Sequence, residues 1–309
     1  MGLVHVHHPV GGRRACHGHH DGSRASTRVM VPIHRLLLQD AIVSQGAERA
    51  RAFVSGTARS ARWCSACARR ATTSSPSASS TPARSCCCSR RARGFIDVTF
   101  VDVTDPAAWE AAVIPGRTVL LLAETPANPR LDLVDLEALG RIAGPLKVVD
   151  STFATPLGQR PLSFGCDLVL HSATKAIAGH NDATLGVVAG EAELIHWLWS
   201  FAVLQGANAS PFDAMNGLRG LRTLGVRLRQ QSASVLQLAE ALAEHPGAAE
   251  VRYPGLPSHP QHDLAKRQLD VMGGQLTFDV VGGLDAGRRF VESTRVAQLA
   301  TSLGGPRRL

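Results

Sequence analysis

The chain has 309 residues, 44% of them hydrophobic and 19% charged, with a formal net charge of +8. That length admits two domains, and that balance supports a sizeable core and excludes global disorder. No apolar run approaches the roughly 18 residues that span a bilayer. The nearest thing to a signal-peptide core, residues 29–38, is broken by Pro32, His34 and Arg35 and is followed by no small-residue cleavage site. The expectation is a soluble, cytoplasmic protein.

Charge and cysteine are unevenly spread. Residues 1–95 carry 15 Arg, no Lys and 3 acids, a net of +12, whereas the remainder nets −4. Six of the seven cysteines lie before residue 90, three of them as the run Cys86-Cys87-Cys88, which is no disulfide framework. Residues 1–93 show no sustained period of 3.6 or 2, and 71–89 are mostly Ser, Thr, Pro, Ala and Cys. One reading is a disordered basic arm. The preferred reading is a frameshift: a neighbouring frame of the codons for Ala71-Thr-Thr-Ser-Ser-Pro can read Gly-Asp-Asp-Val-Val-Ala, a turn and a strand start. Cys64 and Cys67 have zinc-knuckle spacing, but no convincing second ligand pair accompanies them, so no metal is expected. The arginines could attract nucleic acid electrostatically, yet only Phe53, Trp63 and Phe95 are aromatic there and no binding motif is present. No specific nucleic-acid partner is expected.

From Gly94 onward the chain reads as an α/β protein. Residues 117–123 (RTVLLLA) form a continuous apolar run, the mark of a strand buried on both faces. Residues 134–143 read as a helix ended by Gly144-Pro145. Strands follow at 147–150, 167–171 and 184–189, then a helix over 191–201. Pro211 opens a long helical stretch with a break expected at Gly225, running to His245-Pro246-Gly247. Strands alternating with helices predict a mostly parallel sheet covered on both faces. The division expected is an aberrant, disordered or frameshifted arm over 1–93, in which 46–57 carry a family resemblance, a large domain over 94–245 and a truncated small one over 246–309.

Two chemical groups stand at strand ends. Asp150 closes one strand, within Val149-Asp150-Ser-Thr-Phe-Ala-Thr-Pro156, and Lys175 follows another, within His171-Ser172-Ala173-Thr174-Lys175. In open α/β sheets, groups at the carboxyl ends of strands share one crevice. Pyridoxal phosphate (PLP) needs a lysine for its Schiff base, an anion beside the pyridine nitrogen, and N–H and hydroxyl donors for its phosphate. A lysine after a strand is usually a solvated surface residue, and an aspartate there is often a turn or cap residue; context decides. His171 and His180 read as core or loop histidines with no catalytic role.

That context is a set of motifs in order: Glu124-Thr-Pro-Ala-Asn-Pro129, the Asp150 and Lys175 segments, Gly179-His-Asn-Asp182, Ser210-Pro-Phe-Asp213, Arg219-Gly-Leu-Arg-Thr-Leu224, Tyr253-Pro-Gly-Leu256, His259-Pro-Gln-His262, Gly273-Gly274 and Ser302-Leu-Gly-Gly305. Over residues 94–305 the chain resembles the Cys/Met-metabolism PLP enzymes, the cystathionine γ-lyase and γ-synthase family. The resemblance implies fold type I of the PLP-dependent transferases, with a truncated α+β small domain. It implies Lys175 as the Schiff-base and proton-moving lysine, and Asp150 as partner of the pyridinium. Ser172 and Thr174 would bind the phosphate, Asn128 would lie near the ring hydroxyl and substrate carboxylate, and Ser302 near the substrate carboxylate. More weakly, residues 46–57 resemble the segment whose glycine donates backbone N–H groups to the phosphate, which adds Gly56 and Thr57. The implied activity is γ-elimination or γ-replacement on cystathionine, homoserine derivatives or related sulfur amino acids, in a homo-oligomer, dimer or tetramer.

The chain departs from the family pattern at three points. The stacking tyrosine and the Tyr-x-Arg pair given by a neighbouring subunit are missing, since Tyr253 is the one tyrosine and belongs to another motif. The arginine that grips the substrate carboxylate has no counterpart after Ser302. A crippled enzyme or gene remnant is therefore expected, with a catalytically defective product that still binds PLP or a paralogous subunit as the competing reading.

Overall fold

The computed structural model describes residues 3–7, 42, 47–55, 97–297, 299–300 and 302–304. A seven-stranded sheet organises them. Its strands are β1 (Leu3–His7), β2 (Arg49–Phe53), β3 (Asp97–Thr99), β4 (Thr118–Glu124), β5 (Leu146–Asp150), β6 (Leu168–His171) and β7 (Gly186–Gly190), in the spatial order β2-β7-β6-β5-β4-β1-β3. β4, β5 and β6 are mutually parallel. β7 runs antiparallel to both neighbours, β6 and β2, and β1 runs antiparallel to both β4 and β3. Five strands thus share one direction and two oppose it, so the mostly parallel sheet expected from the sequence is present in mixed form. The N-terminal segment departs from expectation. Two short pieces of it, Leu3–His7 and Arg49–Phe53, are sheet strands rather than parts of a detached arm.

The middle strands are apolar on both faces because both faces are covered. Every residue of β6 and β7 is buried. Along β6 and β7 alternate side chains enter opposite cores: Leu168, Leu170 and Val188 pack with Ile195 and Leu198, whereas Val169, Val187 and Ala189 pack with Leu218, Leu224 and Leu228. The first set meets helix α4 (Ala192–Leu204, preceded in the chain by the one-turn α3, Thr155–Gly158), whose buried Ile195, Leu198 and Ala202 form a single stripe. The second meets α5 (Pro211–Leu221) and α6 (Leu224–Ala243). Beside them, α1 (Pro106–Ala111) and α2 (Leu136–Arg141) bring Trp109, Leu136 and Leu139 onto Leu121, Ala123 and Val149. Asp105 and Asp135 cap these two short helices through backbone N–H groups. The helical stretch after Pro211 breaks at Arg222-Thr223, ahead of the Gly225 expected, with Thr223 Oγ bonded back to the Gly220 carbonyl at 3.1 Å.

Beyond α6 lie a two-stranded antiparallel sheet, β8 (Ala248–Arg252) with β9 (Thr277–Val280), and helices α7 (His262–Gln268) and α8 (Gly283–Ser293). This part is tied to the loop after β4. Arg252 forms a buried ion pair with Asp132 and donates from Nε to the Arg130 carbonyl at 2.9 Å. Gln261 bonds both the N–H (2.7 Å) and the carbonyl (2.6 Å) of Leu133, and Thr277 Oγ donates to the Pro129 carbonyl at 2.5 Å. No helix among the described residues is long and apolar enough to cross a membrane.

Candidate functional site

The parallel register aligns the carboxyl ends of three strands: Glu124 of β4 lies beside Asp150 of β5, and Asp150 beside Leu170 of β6. Asp150 is 3% exposed. A buried carboxylate is costly unless hydrogen bonds hold it. Here Oδ1 accepts from the Thr152 N–H at 3.1 Å and from the Thr152 hydroxyl at 2.5 Å. The same Thr152 hydroxyl oxygen accepts the Ser172 N–H at 2.8 Å. Thr152 therefore links the end of β5 to the start of the Lys175 turn, a role the sequence motifs did not mark.

The chain leaves β6 into a tight turn over residues 173–178. Lys175 N–H bonds the Ser172 carbonyl at 3.0 Å, Ala178 N–H the Ala173 carbonyl at 2.8 Å, and Gly179 N–H the Lys175 carbonyl at 2.8 Å. Gly179 has φ +72°, a left-handed conformation that suits glycine and stops the turn from continuing as a helix. The Lys175 ammonium donates to Ser302 Oγ at 2.9 Å, so the predicted lysine and the predicted carboxylate-side serine do meet. Gly304 packs so closely on this turn that a Cβ there would fall 2.8 Å from the Lys175 carbonyl carbon.

The other expected residues fall as follows. Ser172 is half-buried at the start of the turn. Thr174 lines a cavity of about 400 Å³ together with Asn181, Asp182, Asp213, Ala300 and Ser302. Its hydroxyl is already engaged, donating to the Leu185 carbonyl at 3.2 Å and accepting the Leu185 N–H at 2.8 Å. That leaves Ser172 as the better hydroxyl donor for an anion. Asn128 is half-buried in the loop after β4, between the cis-prolyl bonds at Pro126 and Pro129. Gly56 and Thr57 lie outside the described residues. His171 bonds the Ser151 carbonyl at 3.1 Å and His180 the Ala178 carbonyl at 2.7 Å, in keeping with structural roles for both. Tyr253 is fully buried, and its hydroxyl donates to the Gly273 carbonyl at 3.1 Å and lies 3.0 Å from Ser232 Oγ, so it is core and not a stacking platform. Among the described residues no group of His, Cys, Asp and Glu could hold a metal ion.

A buried carboxylate and an amine at the carboxyl ends of adjacent parallel strands, with a hydroxyl between them, match the donor set a pyridinium aldehyde phosphate requires. The class is that of PLP-dependent enzymes of fold type I. The model of the Cys/Met metabolism PLP-dependent enzyme family matches residues 13–309, and the chain belongs to that family. The match reaches back well before Gly94, where the ordered motifs begin.

The chain is 47% identical over 212 residues to O-succinylhomoserine sulfhydrylase of Pseudomonas aeruginosa, covering 68% of this chain and 52% of that protein. It is 40% identical over 230 residues to the chloroplastic cystathionine gamma-synthase 1 of Arabidopsis thaliana (71% and 41% covered), and 41% identical over 216 residues to L-methionine gamma-lyase of Treponema denticola (68% and 54%). Among solved structures, metB from Corynebacterium glutamicum superposes with a TM-score of 0.80 at 32% identity, covering 88% of this chain and 72% of that one. The chain spans about half the length of the curated relatives it matches.

Proposed function

We propose that this chain binds PLP through Lys175 and acts by γ-elimination or γ-replacement on cystathionine, an activated homoserine or a related sulfur amino acid. The observation that carries the reading is the pairing of buried Asp150 with the Lys175 turn across β5 and β6, bridged by Thr152. When bound, the cofactor supplies an electron sink for the charge left at a substrate carbon. Asp150, fixed by Thr152, would set a negative charge beside the ring nitrogen. The Lys175 amine would form the covalent link and carry protons at the substrate α and β carbons. Ser172, with Thr174 beside it, would face the phosphate, as would Gly56 and Thr57. Asn128 and Ser302 would hold the substrate carboxylate, and the Ser302 hydroxyl would orient the lysine amine. In this reading residues 94–245 form the domain that supplies the cofactor wall, and 246–309 the one that closes the substrate side.

The relatives divide between sulfhydrylase, synthase and lyase names, so the leaving group and nucleophile are left at the level of the γ-carbon class. A second reading, a family member that holds PLP without turning over substrate, is favoured by one observation. The sole tyrosine is buried in the core and is not available to cover the ring. We further propose a homo-oligomer in the cytoplasm; Trp197 and Leu204 on α4, and Phe212 and Met215 on α5, are exposed large apolar side chains that a second copy would cover. The test is an assay of purified protein plus PLP with cystathionine, O-succinylhomoserine and methionine, each with and without added cysteine as the thiol that a replacement consumes. Release of a keto acid or a new thioether from any of them supports the first reading. Cofactor uptake without product from any of the three supports the second.

A further inference from the structure

We infer that Arg227, on the first turns of α6, is a positioning residue for Lys175. The inference rests on the reading of Lys175 as the cofactor lysine. The turn over residues 173–178 uses the carbonyls of 172, 173 and 175 for its own hydrogen bonds. A continuing helix would cover the carbonyls of Ala176 and Ile177 with later N–H groups, but left-handed Gly179 turns the chain away. Ala176 and Ile177 are buried, 6% and 2% exposed, so unpaired carbonyls there would carry the full cost of lost hydration.

Arg227 supplies the missing donors. Nη1 donates to the Ala176 carbonyl at 2.9 Å and Nη2 to the Ile177 carbonyl at 3.2 Å. The guanidinium is itself fixed by α5 and the break that follows it: Nη2 also reaches the Gly220 carbonyl at 2.7 Å, and Nε reaches Thr223 Oγ at 3.0 Å. Two glycines make the room. A Cβ on Gly179 would lie 2.2 Å from Arg227 Nη1, and one on Gly220 would lie 2.1 Å from the Ala178 carbonyl oxygen. One planar fork thus joins the α5–α6 junction to the turn that aims Lys175. A lysine ammonium, a single point with no fixed fork, cannot repeat this pattern.

The test compares the full-length wild-type chain with Arg227→Met, Arg227→Lys and Gly179→Ala. The readouts are far-UV circular dichroism, amide hydrogen exchange over 173–179, and the pH midpoint of the visible band in a PLP titration. The expected result for Arg227→Met is a native dichroism spectrum, exchange at Ala178 and Gly179 at least about tenfold faster with β5 unchanged, and a displaced pH midpoint. Arg227→Lys should recover part of both shifts, and Gly179→Ala should reproduce them by displacing the guanidinium. Unchanged exchange and an unchanged midpoint in folded Arg227→Met would overturn the inference. A wild-type chain that takes up no PLP would instead overturn the reading of Lys175, while the exchange comparison still decides whether Arg227 holds the turn.

Discussion

The two walls of the candidate site are built differently. The wall at the ends of β4, β5 and β6 is over-determined. Its strands are apolar on both faces, Asp150 is fixed by Thr152, and the Asn128 loop is held from outside by Arg252, Gln261 and Thr277. The opposite wall, among its described residues 294–297, 299–300 and 302–304, is mostly exposed and lightly held. It meets the first through the Ser302–Lys175 hydrogen bond and the Gly304 contact, and the helix that leads to it, α8, buries none of its residues while Leu284, Val296 and Leu299 stand exposed. A rigid wall suits a group that must be held in one orientation, and a light one suits ligands that differ in shape.

The fixed wall should give the largest losses. Arg252→Ala leaves the Asp132 carboxylate, whose side chain is 10% exposed, with only the longer Arg130 contact at 3.6 Å, and should cost about 3–4 kcal/mol in urea unfolding. A loss below about 1 kcal/mol would show that the Asn128 loop is held by other means. His259 gives the next largest effect. Burial, with Arg252 nearby, lowers its pKa to about 4. The folded value lies below the ordinary 6.5, so the stability from the neutral ring is complete above about pH 6.5 and is lost as the pH falls to about 4, a loss on the order of 3 kcal/mol. His259→Gln should flatten that limb of the stability–pH curve.

The light wall should respond less. Ser302→Ala removes a hydrogen bond to an ammonium, and should shift the pH midpoint of PLP uptake while the melting temperature holds within about 2 °C. Smallest of all, Leu284→Ser on exposed α8 should change stability by less than about 0.5 kcal/mol. A large loss there would mean that α8 is covered in solution and would erase the contrast between the walls.

Legibility in the sequence depends on whether a feature is written in a local pattern. The runs at 117–123 and 147–150 are recognisable because both faces of the sheet are apolar, and they became β4 and β5 within a residue or two at each end. Asp150 and Lys175 are marked by the ordered motifs around them together with their places at strand ends. The roles of Thr152 and Arg227 are not, since each acts by satisfying backbone or carboxylate groups brought near only by the fold; Arg227 sits in an ordinary helical stretch and bonds carbonyls about 50 residues away. The strands at 3–7 and 49–53 were missed because neither has an apolar run of its own, and their pairing comes from β4 and β7. The engaged hydroxyl of Thr174 depends on Leu185, a contact no local pattern encodes.

The most direct test of the central claim is the visible absorption of the purified chain titrated with PLP, beside Lys175→Ala. The account predicts a yellow band that borohydride bleaches, leaving the cofactor fixed on the peptide that contains Lys175, and no such band in the variant. A folded wild-type chain with no band, or a variant with the same band, would contradict it.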